Sequence, residues 1–398
     1  MNILLLEKIH SIAAKKLRGL GWNVKTKGSA MTPAELKKVL RNVSALGIRS
    51  KTVIDSEILD SAPKLQAIGL FCIGHDHVDL DEASHRGIAV FNAPHSSARS
   101  VCELVIGHII ALMRGTHTAN QKMHSGVWHK TAEHSFEVRG KTLGIIGYGH
   151  IGSQVSALAE SLGMEIIFYD LRDVLAFGTA RRCRSLRELL IEADIVTLHV
   201  PDTSATRNLI GANELKIMKK GSWLINTSRG KVVKLPELKL ALESGRLRGA
   251  AIDVFPSEPG SNKIKWETPL IGVPNVILTP HIAGNTREAQ KEIGENASEK
   301  LIKFLSIGTT TGSLNLPQLE LPQPEKRHRL IHVHRNVPGV ISEIGATLKR
   351  HKMNIAGQRL ETTKELGYLV TDIDHAIPSA LIKEITNSPN TIRVRVLS

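Results

Sequence analysis

The sequence predicts an α/β protein in which two parallel sheets, each covered by helices, precede a small ferredoxin-like domain. Three observations support this fold class. Short aliphatic runs alternate with helical segments through residues 1–97, the same rhythm restarts more strongly at residue 141, and residues 328–398 follow a βαββαβ pattern. Only 4% of the 398 residues are aromatic and 41% are hydrophobic, so the predicted cores are aliphatic, as in buried parallel sheets.

The first sheet is predicted from aliphatic runs that are separated by segments of helical character, such as SIAAKKLRGLG. The runs are MNILLLE, SALGIRS, LQAIGLFCIG and IAVFNAP. A long helix that is apolar nearly all round begins at about Ala98, so we expect it to be buried between other elements.

The second sheet is predicted from six strands with helices between them, which is the pattern of a doubly wound nucleotide-binding sheet. The candidate strands are TLGIIGYG, EIIFYD, DIVTLHVP, SWLINTSRG, GAAIDVF and NVILTPHIAG. A helix over about residues 286–306 follows. We therefore predict that this domain, residues 98–285, is inserted into a first domain made of residues 1–97 and 286–315.

The segment LNLPQLELPQPEKRHR contains three prolines, Pro317, Pro322 and Pro324, and shows no long period. It predicts a stiff, extended linker over residues 316–327. The following residues, 328–398, are predicted to form the ferredoxin-like domain, with a helix that starts at Pro338.

Composition excludes several classes of function. The net charge is +14, but Lys and Arg are spread along the chain without a basic run flanked by aromatics, so we expect no nucleic-acid partner. No apolar run approaches the roughly 20 residues that a bilayer requires, so no membrane association is expected. The three cysteines are scattered and match no metal-ligand spacing, which favours a reducing, cytoplasmic compartment and no metal site.

A glycine loop, Gly147-x-Gly149-x-x-Gly152, follows an apolar strand and opens a helix, which is the context that a dinucleotide site needs. Asp170 ends the next strand, where a carboxylate accepts both adenosine ribose hydroxyls and repels a ribose phosphate. The pair predicts NAD rather than NADP. Arg172 lies close by and weakens that choice slightly.

Polar residues at later strand ends suit hydride transfer from a secondary alcohol. His281 can take the proton, because histidine titrates near neutral pH. Glu258 can hold the other imidazole nitrogen, and Arg229 suits a substrate carboxylate. Asp253 can accept a hydrogen bond from the nicotinamide carboxamide.

These motifs resemble those of the D-isomer-specific 2-hydroxyacid dehydrogenases. The similarity runs from end to end and is carried by GIIGYGHIG, LHVP, LINTSRG, AIDVFPSEP and LTPHIAG. It implies a Rossmann NAD-binding domain inserted in a flavodoxin-like substrate domain, with Arg229, Glu258 and His281 as catalytic residues. The implied cofactor contacts are Gly147, Gly149, His150, Ile151, Gly152, Asp170, Thr227, Ser228, Arg229, Asp253, His281, Ala283 and Gly284.

The chain most resembles the branch of this family that carries a C-terminal ACT domain. That branch oxidises D-3-phosphoglycerate to 3-phosphohydroxypyruvate with NAD, the first step of L-serine synthesis, and reduction of 2-oxoglutarate is a further activity within it. The resemblance implies that the substrate binds to Arg49, Ser50, Lys51, Ile73 and Gly74. The adjacent His75-Asp76-His77 departs from the branch, and Asp76 would repel an anion if it faced the substrate.

ACT domains commonly bind amino acids between paired copies. The resemblance implies L-serine as the effector, bound by His334, Asn336 and Asn354, in a homotetramer with ACT–ACT pairing. The proline-containing linker would weaken transmission of the signal, so we expect L-serine to bind without inhibiting strongly.

Two alternatives stay open. The first is another D-2-hydroxyacid dehydrogenase, of the glyoxylate or hydroxypyruvate reductase type, which the ACT-like unit and Arg49 argue against. The second is an NAD-sensing corepressor-like binding protein, which can retain the same Arg, Glu and His.

Overall fold

The computed structural model describes residues 1–259, 265–323 and 328–397. The chain forms two compact units, one of Met1–Ser96 with Gln290–Ser398 and the other of Ser97–Ala289. Within the described residues, no helix combines the length and the apolar character that crossing a membrane requires. The predicted division into three domains and a linker stays a prediction.

The amino-terminal part of the first unit is a five-stranded parallel sheet with helices between its strands. Its elements are β1 (Asn2–Leu5), α1 (Ser11–Arg18), β2 (Asn23–Thr26), α2 (Pro33–Leu40), β3 (Ala45–Ile48), α3 (Ser56–Asp60), β4 (Ala67–Leu70), α4 (Leu80–His85) and β5 (Ala89–Asn92). The strand order β2-β1-β3-β4-β5 is the flavodoxin-like order, as predicted. Since β3 and β4 are parallel neighbours, the segments that follow them lie at the same edge of the sheet.

The second unit is a seven-stranded parallel sheet with the doubly wound order β12-β11-β10-β9-β6-β7-β8. Its elements are α5 (Ala98–Arg114), α6 (Thr116–His124), β6 (Thr142–Ile146), α7 (His150–Ser161), β7 (Glu165–Tyr169), β8 (Arg181–Arg182), α8 (Leu186–Glu192), β9 (Ile195–Leu198), α9 (Ala212–Ile217), β10 (Ser222–Asn226), α10 (Leu235–Glu243), β11 (Leu247–Ile252) and β12 (Val276–Leu278). All six predicted strands are present. The additional strand, β8, consists of two arginines and carries no apolar signal.

The rest of the first unit is a long helix followed by a four-stranded antiparallel sheet with two helices. Its elements are α11 (Arg287–Ile307), β13 (His328–Arg335), α12 (Val340–Arg350), β14 (Ile355–Thr362), β15 (Leu366–Ile373), α13 (Ser379–Thr386) and β16 (Thr391–Leu397). The order β14-β15-β13-β16 is ferredoxin-like, as predicted. The helix α12 differs slightly from its prediction, because it begins after Gly339, whose φ of 95° only glycine adopts easily, and not at Pro338.

The predicted linker differs from a stiff spacer in its described part. Leu316, Leu319 and Leu321 are buried in the same core as α11 and one face of the antiparallel sheet. The sequence signal was mixed, since prolines alternate there with leucines, and the leucines are the residues that decide the packing. The remaining predicted linker residues, 324–327, lie outside the described part of the chain.

Candidate active site

The glycine loop has the geometry that its spacing predicts. Gly147 has a φ of 90°, and a Cβ on it would lie 2.4 Å from the carbonyl oxygen of His199. A Cβ on Gly152 would lie 2.3 Å from the carbonyl oxygen of Gly147. Gly149 is different, because a Cβ there would meet only Arg172, at 3.6 Å. Gly147 therefore permits the tight turn and Gly152 the close helix packing, whereas Gly149 leaves the backbone open to a ligand.

The helix α7 starts directly after Gly149, which caps it without a side chain. No side chain caps its first backbone N–H groups, and the positive end of the helix dipole favours an anion there. Of the predicted contacts at this helix end, His150 is exposed and its Nε2 lies 3.0 Å from Nε2 of Gln154. Ile151 is half-buried, and it packs against the core of this unit.

Asp170 follows β7 and is buried, with 8% of its surface exposed. Its carboxylate accepts from the backbone N–H of Tyr148 and of Arg172, each at 2.9 Å. Burial alone would raise the pKa of Asp170, but the hydrogen bonds with Arg172 and Tyr148 outweigh it, so its pKa lies below the ordinary value. The carboxylate is therefore ionised at neutral pH.

The turn after β10 carries three predicted residues, Thr227, Ser228 and Arg229. Asn226, which the sequence analysis did not select, organises it: its amide oxygen accepts from the N–H and the hydroxyl of Ser228, and its amide nitrogen donates to the carbonyl of Arg229. An Asn at a strand end before Thr-Ser is a signal for such an Asx turn. The buried hydroxyl of Thr227 has no hydrogen-bond partner among the described residues, as expected of a group that awaits a ligand.

Asp253, at the end of β11, is fully buried and holds the segment that carries His281. Its carboxylate accepts from the N–H groups of Ile282 and Ala283, each at 2.9 Å, and from the hydroxyl of Thr279. A carboxylate has about four acceptor positions, so one is left for the predicted carboxamide contact, which stays a prediction. Gly284 follows directly, and a Cβ there would lie 3.1 Å from the hydroxyl of Ser97.

The structure brings Arg229, Glu258 and His281 together around a cavity of about 120 Å³. Nδ1 of His281 lies 2.8 Å from Oε2 and 3.1 Å from Oε1 of Glu258. Burial would raise the pKa of Glu258, but the hydrogen bond and the charge of His281, with Arg229 and the N–H of Phe255, lower it below the ordinary value. The ionised carboxylate thus fixes the imidazole tautomer and leaves Nε2 available for proton exchange.

His281 has a φ of 53°, in the left-handed region that a histidine rarely adopts. The hydrogen bond from its N–H to the carbonyl oxygen of Asp253, 2.8 Å long, helps to maintain this conformation. Strained backbone of this kind concentrates at functional sites, where the surrounding structure holds it.

The predicted substrate residues Arg49, Ser50 and Lys51 follow β3 in the other unit. A buried carboxylate that the sequence analysis missed, Glu7, accepts from the N–H groups of Lys51 and Thr52 at 3.0 and 2.8 Å. The partners are more than 40 residues apart along the chain, so no local pattern indicates them. Glu7 therefore fixes the backbone of this loop.

Ile73 and Gly74 follow β4 at the same edge. The carbonyl oxygen of Ile73 accepts from the side-chain amide of Asn92 at 2.7 Å, and that of Gly74 accepts from the thiol of Cys72. Burial lowers the pKa of the neighbouring His77, whose ring is hydrogen-bonded to the backbone of Arg49. In the His75-Asp76-His77 segment, His77 is thus uncharged at neutral pH, and its hydrogen bond helps to fix the loop that carries Arg49.

The three predicted effector residues do not meet within one chain. His334 is buried near one end of β13, with Nδ1 on the carbonyl of Arg335 and Nε2 unpartnered among the described residues. Asn336 is at that same end, where its amide donates to Thr363. Asn354 donates to Asp374, at the other end of the sheet.

The strand register measures this separation. Arg335 pairs with Leu366, and His328 pairs with Ile373. Seven residue steps at about 3.3 Å each place the two ends roughly 23 Å apart. A small amino acid cannot span that distance.

Comparisons with known proteins point to one family of dehydrogenases. A model of the D-isomer specific 2-hydroxyacid dehydrogenase NAD binding domain matches residues 106–283, and an AHAS small subunit-like ACT domain matches residues 330–393. The chain is 46% identical to D-3-phosphoglycerate dehydrogenase of Dictyostelium discoideum and 47% identical to that of Escherichia coli K12, covering 100% of this chain and 97% of each relative. A D-lactate dehydrogenase from Aquifex aeolicus, solved with NAD and lactic acid, matches with a TM-score of 0.71 at 27% identity, over 80% of this chain and 100% of that one.

The chain belongs to the D-isomer-specific 2-hydroxyacid dehydrogenase family. It is an NAD-dependent oxidoreductase with a C-terminal ACT domain, and the predicted fold class is confirmed. The residues present fit NAD: the backbone at Gly149 is open, the hydroxyl of Thr227 is unpartnered within the described chain, and the carboxylate of Asp170 stands where the adenosine ribose is recognised.

Proposed function

We propose that this protein is a D-3-phosphoglycerate dehydrogenase, which oxidises D-3-phosphoglycerate to 3-phosphohydroxypyruvate with NAD in the first step of L-serine synthesis. The full-length similarity to relatives of that name supports the substrate. The observation that carries the chemistry is the His281–Glu258 hydrogen bond beside Arg229 in one cavity.

Oxidation of the C2 hydroxyl removes one proton from oxygen and one hydride from carbon. NAD supplies the hydride acceptor when it is bound. Nε2 of His281 accepts the proton, and Glu258 stabilises the imidazolium that forms, because its carboxylate already lies 2.8 Å from Nδ1. The guanidinium of Arg229 polarises the carbonyl as it develops.

We assign the phosphate and carboxylate of the substrate to the loops after β3 and β4. Arg49, Ser50 and Lys51 supply cationic and hydroxyl groups for the phosphate, and the backbone of Ile73 and Gly74 supplies donors for the carboxylate. The support is the bracing of these loops by Glu7, Asn92 and His77, which keeps their backbone in one conformation.

We further propose L-serine as the effector, bound between two ACT domains of a homotetramer. Support comes from the separation of Asn354 from His334 and Asn336, because an antiparallel pair of chains would place Asn354 of one beside His334 of the other. The unpartnered Nε2 of His334 offers the ligand a buried polar contact.

Mixed oligomers test this arrangement. His334→Ala and Asn354→Ala homomers should each lose serine binding. Oligomers that pair one chain of each kind should regain one intact site for every two chains, measured by calorimetry. No recovery in the mixture would place the site within one chain, and undiminished rates of the unmutated enzyme at millimolar serine would reject L-serine as the effector.

One comparison of rates tests the main assignment. The enzyme is assayed with NAD and D-3-phosphoglycerate, and with NADH and glyoxylate, hydroxypyruvate or 2-oxoglutarate. A strong preference for the phosphorylated acid supports the proposal, and a preference for glyoxylate or unphosphorylated hydroxypyruvate overturns it. NAD binding without turnover on any of these acids would favour a corepressor-like binding protein.

A cytoplasmic location is proposed with this biosynthetic role.

A further inference from the structure

Asp170, the predicted NAD determinant, is already engaged by a neighbouring cation. Besides its two backbone donors, it is approached by the guanidinium of Arg172, with Nε 3.3 Å from Oδ1 and Nη2 3.4 Å from Oδ2. The two carboxylate oxygens that would accept the 2′- and 3′-hydroxyls of a ribose therefore both face Arg172.

The guanidinium also reaches the glycine loop. Nη2 of Arg172 is the atom nearest to where a Cβ on Gly149 would stand. The side chain is 71% exposed, so it can swing outward without opening a core. Arg172 thus stands over the surface that the adenosine half of the dinucleotide would cover.

A second arginine fixes the turn beneath it. Nη2 of Arg182 donates to the carbonyl oxygens of Arg172 and Asp170 at 2.9 and 3.3 Å, and its other nitrogen pairs with Asp173. The backbone of Arg172 is thereby held in place, whereas most of its side chain is exposed to solvent. Two guanidinium groups and two carboxylates share this corner, so its charge is balanced.

The physical consequence concerns the 2′-phosphate. A lone carboxylate at this position rejects NADP by repulsion, whereas an arginine beside it can pair with the phosphate. Guanidinium is suited to that contact because its planar fork can donate two hydrogen bonds to phosphate oxygens.

We propose that Arg172 determines cofactor specificity by making the ribose pocket accept a 2′-phosphorylated dinucleotide, so that the enzyme uses NADP(H) as well as NAD(H). Arg172 swings from Asp170 to the phosphate when NADP binds, and out to solvent when Asp170 takes the ribose hydroxyls of NAD. The inference rests on the dinucleotide role of this pocket within the proposed function, but not on the identity of the acid substrate.

The test is an equilibrium titration with NADH and NADPH, followed by nicotinamide fluorescence without any acid substrate. The unmutated protein should bind both. Arg172→Ala should weaken NADPH by about tenfold to a hundredfold, the effect of one charge-assisted hydrogen bond, and should leave NADH equal or tighter. Arg172→Lys keeps the charge without the fork and should lie between the two.

Arg187→Ala is the matched control, because it removes one exposed positive charge from the neighbouring helix α8. It should leave the ratio of the two affinities unchanged. Absence of NADPH binding to the unmutated protein, an unchanged ratio in Arg172→Ala, or an equal change in Arg187→Ala would overturn the inference. These outcomes are independent of turnover, so a failure of the phosphoglycerate assignment is distinguishable from a failure here.

Discussion

The backbone N–H of His281 donates a 2.8 Å hydrogen bond to the carbonyl oxygen of Asp253, whose carboxylate accepts from the next two backbone N–H groups. The proposed proton carrier is thus positioned by a second acid as well as by Glu258. Glu258 holds the ring, and Asp253 holds the strained backbone from which the ring projects. Separate substitutions can test the roles of Glu258 and Asp253.

Replacing His281 with Ala should lower kcat by about a hundredfold to ten-thousandfold, because the proton would have no acceptor, while NADH still binds. Steady-state kinetics and fluorescence titration measure the two quantities. His351→Ala removes a similar pair, since Nε2 of His351 lies 2.8 Å from Glu384, and it should leave kcat unchanged. Retained turnover in His281→Ala would contradict the proposed role.

Glu258→Gln should lower kcat. The pKa of Glu258 lies below its ordinary value, so the carboxylate is charged at neutral pH and can stabilise the imidazolium that forms when His281 accepts the proton. The neutral amide lacks that charge, and its NH₂ group can donate to Nδ1 and so favour the wrong tautomer. Steady-state kinetics measure the loss, and an unchanged kcat would exclude a role for the Glu258 carboxylate.

Asp253→Asn should reduce kcat more than it changes KM, and should cost about 1–3 kcal/mol of stability. The N–H of Ile282 donates to Oδ1 and that of Ala283 donates to Oδ2, and asparagine replaces one of these oxygens with an NH₂ group, so one buried N–H is left facing a donor. Urea unfolding measures the loss. Asp194→Asn, which affects an acceptor for the N–H of Thr142 at the opposite edge of the sheet, should cost stability but not kcat.

The ACT domain should lose stability on mild acidification. Burial and the nearby His334 lower the pKa of His332 to about 3. In the unfolded chain this histidine takes up a proton near its ordinary value of 6.5, so below that pH the unfolded state binds one more proton than the folded state. As the pH decreases below this value, the free energy of unfolding therefore decreases by up to about 1.4 kcal/mol per pH unit. His332→Gln should flatten this slope in denaturation series from pH 7 to 5, and an unchanged slope would assign it elsewhere.

Arg329→Met should destabilise the ACT domain by about 3–5 kcal/mol, because it leaves the buried Asp372 without its bidentate partner. The double variant Arg329→Met with Asp372→Leu should recover much of that loss. Thermal unfolding measures both variants. A double variant as unstable as the single one would show that the other hydrogen bonds of Arg329, to the carbonyl oxygens of Ile307 and Pro322, and not the charge left on Asp372, dominate.

Much of the fold and of the site could be predicted from local sequence. Apolar runs ended by Gly147, Asp170, Arg229 and His281 indicate strands whose carboxyl ends meet, so the sequence alone brings these residues to one edge. Their individual roles stay predictions, but the structure places Glu258 within hydrogen-bond distance of His281, as expected.

The rest depends on pairings between distant residues. Glu7 binds Thr52, and Arg329 binds Asp372, across more than 40 residues, and in each case a charged residue that looks exposed in the sequence is buried. No periodicity predicts these contacts, because a charged residue that is hydrogen-bonded or paired in a core leaves the same local pattern as one in solvent.

The carboxyl end of α11 is hydrogen-bonded to side chains of the ACT sheet. Arg329 donates to the carbonyl oxygen of Ile307 at 2.8 Å, and Arg395 approaches those of Phe304 and Leu305. This helix begins three residues after Gly284 and is about 30 Å long. Its amino end therefore follows the catalytic segment in the sequence, and the carbonyl oxygens at its carboxyl end are hydrogen-bonded to guanidinium groups. A change in the ACT sheet would therefore act on α11 through these hydrogen bonds, without passing through the proline segment.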